Sequence, residues 1–365
     1  MNVTCLKDQF YKIITLAERH TSKEAHLPFL QGLLIHTKKN TIHVSSTNLD
    51  TGFEAWMPAS VKEEGSVVLP AKSCVSLIST LTGEKIKIES KNNDVFFTTQ
   101  TTSTNLKSYP VEEFPSFPKI KKIRSVEIPC ENLSKSIASV VMAASSSEIK
   151  PEISSVFFNV LKNKIKMAAT DSFRLAEKTI PFKGEEGFNI LFPFKHVLEI
   201  GKILEHFNDP IVLSIGENQA VFSSKNYSLV TRIREEKFPN YEQIIPTTFS
   251  TEVKVKKSDF INGVRLASIF SGRLREIKFN IYPEDNLFEI FSKNSDIGEH
   301  VSQIPSNVTG ERLNVTFNYS YIMDGISMIS SSDVLLRFNG DSKPVLIQDP
   351  YDASYVYLAM PMKNI

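Results

Sequence analysis

Glycine is scarce in this chain, 14 of 365 residues, well under the roughly 7% of an average protein. That excludes collagen-like repeats and argues against long flexible linkers. Cysteine is scarcer still: Cys5, Cys74 and Cys130, with no C-x-x-C spacing. An odd, low count argues for a reducing compartment and against disulfides or a thiolate metal site. Net charge is nearly absent, since 42 Lys and Arg oppose 41 Asp and Glu, a formal +1. The whole surface is therefore no basic glove for nucleic acid, although a basic patch balanced elsewhere is compatible with it. No run approaches the ~18 uninterrupted apolar residues of a membrane span. Met1 to Asp8 has neither the basic nor the apolar region of a signal peptide. The expectation is a cytoplasmic, soluble, multidomain protein with no membrane contact.

Catalytic signatures are missing too. There is no G-x-x-x-x-G-K-[ST] phosphate loop, no G-x-G-x-x-G after a strand, no H-E-x-x-H and no G-x-S-x-G. His20, His26, His36, His43, His196, His206 and His300 are scattered with no i, i+4 pair on a helix. They read as solvated, and no metal site or cofactor is expected. Cys74, beside Val75 and Leu77, reads as a buried structural thiol. An enzyme would need an active site assembled across distant segments, and that stands as the alternative to a non-catalytic protein.

What is present is repetition. Val3 to Phe10, Val126 to Leu133 and Val253 to Phe260 each read as an alternating strand entering a helix, with Phe10, Leu133 and Phe260 spaced 123 and 127 apart. A second strand-to-helix landmark recurs at Pro70, Pro193 and Phe317, spaced 123 and 124. Ser46-Thr47-Asn48 and Ala169-Thr170-Asp171 are again 123 apart. One offset held across three landmarks predicts three copies of one fold: 1–124, 125–249 and 250–365. Proline-rich Phe114 to Pro118 and Phe238-Pro239-Asn240-Tyr241 precede the two boundaries as linkers. In the first copy Phe10, Ile13, Ile14 and Ala17 lie on one helical face, and Val75, Ile78, Ser79 and Leu81 partly on another. Strands are predicted at Gly32 to Thr37, Thr41 to Ser46, Gly52 to Pro58, Lys85 to Glu89 and Val95 to Thr99. Each copy thus has two helices and about eight strands, an α+β fold with antiparallel sheet. The 25 phenylalanines predict aromatic-rich cores.

Two segments stand out. Lys166 to Lys178 contains Thr170-Asp171-Ser172-Phe173-Arg174-Leu175, a strand end with a tight turn in which Asp171 takes an Asx-type hydrogen bond. The C-terminal Tyr355 to Lys363 is an apolar strand in which Pro361 blocks further pairing and two methionines offer an adaptable surface.

These motifs resemble, in order and spacing over the whole chain, the family of bacterial sliding clamps, the β subunits of DNA polymerase III. His26-Leu27-Pro28-Phe29-Leu30-Gln31-Gly32-Leu33-Leu34 is similar to the family's T-L-P-I-L-x-N-x-L. Ala169 to Ala176 is similar to A-T-D-x-x-R-L-A, and Phe238 to Tyr241 to F-P-x-Y. Phe317 to Tyr321 and Met360-Pro361-Met362 are similar to F-N-x-x-Y and the terminal M-P-M.

The resemblance implies three clamp domains, each with two helices and two antiparallel sheets, in a head-to-tail homodimer closed around duplex DNA. Twelve helices at roughly 9 Å spacing describe a circle about 34 Å across between axes. Less a helix diameter of about 10 Å, that passes a duplex. Sequence-independent attraction to the duplex would come from Lys7, Lys12, Arg19, Lys72, Lys135, Lys195, Lys202 and Arg265 on helices, and from Lys23 and Lys150 on loops. The last helix, Tyr319 to Ile329, has Asp324 and no basic residue, so that lining is uneven.

The resemblance also implies an apolar pocket for short linear peptides of the replicative polymerase, clamp loader and repair proteins. Its wall would be Ile153, Thr170, Ser172, Phe173, Arg174, Leu175, Pro239, Gln243, Ile244, Leu274, Asn318, Tyr321, Ser342, Pro344, Leu358, Ala359, Met360, Pro361 and Met362. Ser172-Phe173 stand where the family often has Gly-His, and Gln243 where it often has a basic residue, which implies a greasier pocket. The dimer seam would set Leu106 of one chain against Ile269 and Phe270 of the other.

Overall fold

The structure, a computed structural model, describes residues 1–22, 27–115, 121, 123–182 and 187–362. Six helices occur among them: α1 (Lys7–Glu18), α2 (Ala71–Thr80), α3 (Cys130–Val141), α4 (Phe194–Leu204), α5 (Lys257–Ile269) and α6 (Tyr319–Ser327). None is long and apolar enough to cross a membrane. Helices α1, α3 and α5 follow the strands Asn2–Leu6, Arg124–Ile128 and Thr251–Lys256. Phe10, Leu133 and Phe260 are all fully buried, as equivalent positions of a repeat require.

The second landmark holds with one slip. Helices α2 and α4 start directly after Pro70 and Pro193, whereas α6 starts after Asn318, not Phe317. Asn318 caps that helix through its own side chain, Oδ1 accepting from Ser320 N at 2.9 Å. On α2 the buried face is Ala71, Cys74 and Ile78; Ser79, expected there, is exposed, and Leu81 fills the space from just past the helix end. Burial pushes the thiols of Cys5 and Cys74 up to about 12, consistent with a structural role.

All strand pairs are antiparallel, and the described residues form two compact units. The first comprises 1–131 with 202–233. It holds a five-stranded sheet in the order Ser60–Glu63, Asn2–Leu6, Lys85–Lys91, Asp94–Thr98, Ser103–Lys107. Its eight-stranded sheet runs Arg124–Ile128, Ile211–Ile215, Gln219–Ser223, Tyr227–Arg232, Thr51–Pro58, Thr41–Thr47, Gly32–Lys38, Ser66–Pro70. The second unit comprises 132–201 with 234–365. Its nine-stranded sheet runs Phe188–Pro193, Ser155–Leu161, Lys164–Thr170, Arg174–Pro181, Tyr355–Ala359, Val345–Gln348, Asp333–Phe338, Thr251–Lys256, Ser306–Gly310. A four-stranded sheet of Gly298–Ile304, Leu287–Asn294, Glu276–Tyr282 and Leu313–Asn318 completes it.

Sheets continue from one repeat into the next. Tyr227 pairs with Ala55 in the first unit, and Leu175 pairs with Leu358 in the second. Each repeat thereby covers a strand edge that it would otherwise expose. The middle repeat gives strands to both units, so the compact units do not divide the chain at the repeat boundaries.

The cores are aromatic. In the second unit the fully buried Phe260, Phe279, Phe288 and Phe317 meet at ring separations of 5.2 to 5.8 Å. Helix α6 lies so close to Tyr357 that a Cβ on Gly325 would stand 2.4 Å from the ring, and only glycine permits that approach.

Candidate functional site

All the residues of the predicted pocket lie within the second unit, and its anchor is the turn Thr170–Arg174. Thr170 ends its strand, and its Oγ1 donates to Arg174 O at 2.7 Å. Asp171 Oδ1 accepts from Phe173 N at 2.9 Å and Arg174 N at 3.0 Å, the Asx turn read from the sequence. Ser172 takes a left-handed φ of 77°. That geometry turns Phe173 outward, where it is 61% exposed.

Arg174 holds the turn to its surroundings. Its Nε donates to Asp171 Oδ2 at 2.9 Å, its Nη1 donates to Asp324 Oδ2 of α6, and its guanidinium lies 4.6 Å from the Tyr321 ring centre. Burial opposes the Arg174 charge, and Tyr357, Asp171 and Asp324 outweigh it, so its pKa lies above the ordinary value. Asp324, noted in the sequence only as an acidic residue on a helix, is thus a strut of the site. A pairing between residues 150 apart carries no local sequence signal.

The C-terminal strand closes the other side. Arg174 pairs with Ala359, after which Met360 N donates to Phe173 O and Met362 N to Thr316 O, each at 2.8 Å. The Met360-Pro361-Met362 tail is therefore pinned at both ends and half-buried. Ile244 and Leu274 are exposed like Phe173, as are Ser172, Pro239, Gln243 and Ser342; Ile153, Thr170, Asn318 and Tyr321 are half-buried. Four residues depart from the expected wall. Leu175, Pro344, Leu358 and Ala359 are buried. Leu175 and Leu358 belong to a core cluster with Ala168, Tyr241 and Leu346, so they support the wall from beneath.

The Phe238 to Tyr241 segment is fastened under the same sheet. Phe157 and Phe238 stack at 5.0 Å, Tyr241 packs edge-on to both, and Tyr241 OH donates to Glu177 at 2.6 Å. Pro239, Gln243 and Ile244 thus lie on a segment fastened at Phe238 and Tyr241.

Of the predicted DNA-facing cations, Lys12, Lys72, Lys135, Lys195 and Arg265 are exposed on helices, and Lys150 on a loop. Lys202 is half-buried on α4, and Arg19 caps the end of α1. Lys7 donates to Leu81 O at 3.2 Å, Lys12 donates to His206 O at 2.7 Å, and Lys195 pairs with Glu148 at 2.7 Å. Lys23 lies outside the described residues. Together the six helices carry eight basic and six acidic side chains, a net +2. Of the seam residues, Leu106 is on Ser103–Lys107, the last strand of its sheet. Ile269 is exposed at the end of α5, and Phe270 stacks at 5.7 Å on His300 of Gly298–Ile304, another edge strand.

One constellation lay outside the sequence reading. His36 and His43 are direct cross-strand partners whose rings stack at 4.5 Å, and Glu54 on the next strand approaches them. One ligand atom from each of the three lies within 4.8 Å of the others. Burial holds both imidazoles below their ordinary range, His43 at about 4, aided by His36 and Lys38. Helical spacing was the wrong test for histidines that meet across a hairpin.

Sequence profiles of the DNA polymerase III β subunit match this chain in order: the N-terminal domain at residues 1–118, the central domain at 127–240 and the C-terminal domain at 242–363. The beta sliding clamp of Bacillus subtilis is 26% identical over 378 residues, and that of Staphylococcus epidermidis 25% over 375, with both chains covered in full in each case. The crystal structure of the Bacillus subtilis DNA polymerase sliding clamp superposes with a TM-score of 0.94, again over 100% of both chains.

Proposed function

The chain belongs to the family of bacterial sliding clamps, the β subunits of DNA polymerase III, and from that premise we propose how its parts divide the work. It is a processivity factor and not an enzyme. Two copies join head to tail into a ring around duplex DNA in the cytoplasm, with 1–124, 125–249 and 250–365 as the three domains. The observation that carries this reading is the full-length, in-order match of three clamp domains to a chain with no catalytic motif.

In the seam, the Ser103–Lys107 edge of one chain meets the Gly298–Ile304 edge of its partner, with Leu106 against Ile269 and Phe270. Two open edges and exposed apolar side chains beside one of them support that. Exposed lysines on the inner helices hold the duplex by charge, without reading bases. Polymerase and repair peptides dock on Phe173, Ile244, Leu274 and the Met360-Pro361-Met362 tail, with Tyr321 and Asn318 orienting them.

The test is a native mass combined with peptide binding. A dimer near twice 41.1 kDa is expected, together with weakened binding of a polymerase-tail peptide in Phe173→Ala and Met362→Ala while the dimer persists. A monomer at micromolar concentration contradicts the ring, and unchanged affinity in both variants contradicts the pocket.

A further inference from the structure

The outward face of Gly32–Lys38, Thr41–Thr47 and Thr51–Pro58 carries His36, His43, Glu54 and Trp56, while the alternate residues Ile35, Val44, Phe53 and Ala55 enter the core. Thr41 Oγ1 lies 2.7 Å from Lys38 O and 3.0 Å from His43 Nε2. With the hydroxyl proton on the shorter contact, to Lys38 O, the ring nitrogen is assigned as the donor to Thr41. That leaves His43 Nδ1 as a bare lone pair, and this atom faces Glu54 Oε1 at 3.9 Å. A cation between these two atoms would satisfy both. Burial raises the Glu54 carboxyl above its ordinary range, and the Ser45 hydroxyl on the neighbouring strand opposes that. His36 brings a second imidazole from the other side.

From this geometry we propose that His36, His43 and Glu54 form a site for a divalent transition metal, with Zn2+ as the reference ion. Two imidazoles and one carboxylate suit such an ion and not a hard cation such as Mg2+. Ligand atoms now within 4.8 Å need to close to about 3.4 Å around a tetrahedral ion with bonds of about 2.1 Å, which small side-chain rotations on this half-buried sheet face supply. Thr41 and Ser45 act as outer partners that orient the ligands, the arrangement usual around metal-bound histidine and carboxylate. Water takes the fourth position. The ion ties three adjacent strands at a surface remote in sequence from the peptide site.

The chain has a single tryptophan, and Trp56 stacks on His43 at 5.8 Å between ring centres, so its emission reports on the site. The full-length protein, first stripped with a chelator, is titrated with Zn2+ by calorimetry and by tryptophan fluorescence. One Zn2+ per chain is expected, with a Kd of about 10 µM or tighter and an emission change that saturates at the same point. His36→Asn, His43→Asn and Glu54→Gln should each weaken binding at least tenfold while leaving the melting temperature without metal and the native mass unchanged. Co2+ in the unsubstituted protein should give the intense visible bands of a tetrahedral nitrogen and oxygen site, a readout that needs no variant. No binding, binding that leaves Trp56 emission unmoved, or equal binding by the His36→Asn, His43→Asn double variant would overturn the proposal.

Discussion

At Thr47–Thr51 and again at Thr170–Arg174 the chain makes the same turn, 123 residues apart. Asn48 Oδ1 accepts from Asp50 N and Thr51 N as Asp171 Oδ1 accepts from Phe173 N and Arg174 N. Thr47 and Thr170 each donate to the carbonyl four residues on. Leu49 and Ser172 share a left-handed φ, 75° and 77°. What differs is what the turn carries. In the first copy Asp50 meets Arg232 at 3.4 Å with both side chains about 60% exposed. In the second, Arg174 and Asp171 are 14% exposed and reach on to α6. The turn belongs to the repeat, and what sets the second copy apart is the partners that only the nine-stranded sheet and α6 provide.

That contrast can be broken at several points. Arg174→Ala should have the largest effect, destabilising by about 3 kcal/mol because two part-buried carboxylates lose their cation, whereas Arg232→Ala should cost under about 0.5 kcal/mol. Urea unfolding measures both. Asn48→Ala, which removes the acceptor for two backbone N–H groups, should cost about 1–2 kcal/mol and leave peptide affinity untouched. Phe173→Ala should reverse that pattern, with stability within about 0.5 kcal/mol and peptide affinity down at least tenfold, about 1.4 kcal/mol. Leu49→Ala should change neither. On DNA binding, Lys72→Ala is expected to lower the slope of log affinity for the duplex against log salt by at most about 0.9.

The repeat was readable because burial forces a period on it: Phe10, Leu133 and Phe260 must each fill a core. Even there Asn318 escaped by one position, since a side-chain cap can start a helix where the other copies use proline. The segments of the proposed pocket are legible in the sequence, and which of their side chains reach the surface is not. Leu175 and Leu358 lie within paired strands and pack into a core cluster, whereas Phe173 and Met360 lie just beyond the strand ends and keep exposed surface, and where a strand ends is the least legible feature of a sequence. Asp324 and the His36, His43 pair were silent for another reason. Each gains its meaning from a partner on a different element, and a sequence read along its length ranks near neighbours above paired strands.

Loading the dimer onto closed circular DNA and then cutting the circle tests the ring most directly. The account predicts retention on the intact circle at salt high enough to screen lysine–phosphate contacts, and complete loss on linearisation. Equal retention on circular and linear DNA would contradict it, because binding would then rest on contact and not on encirclement.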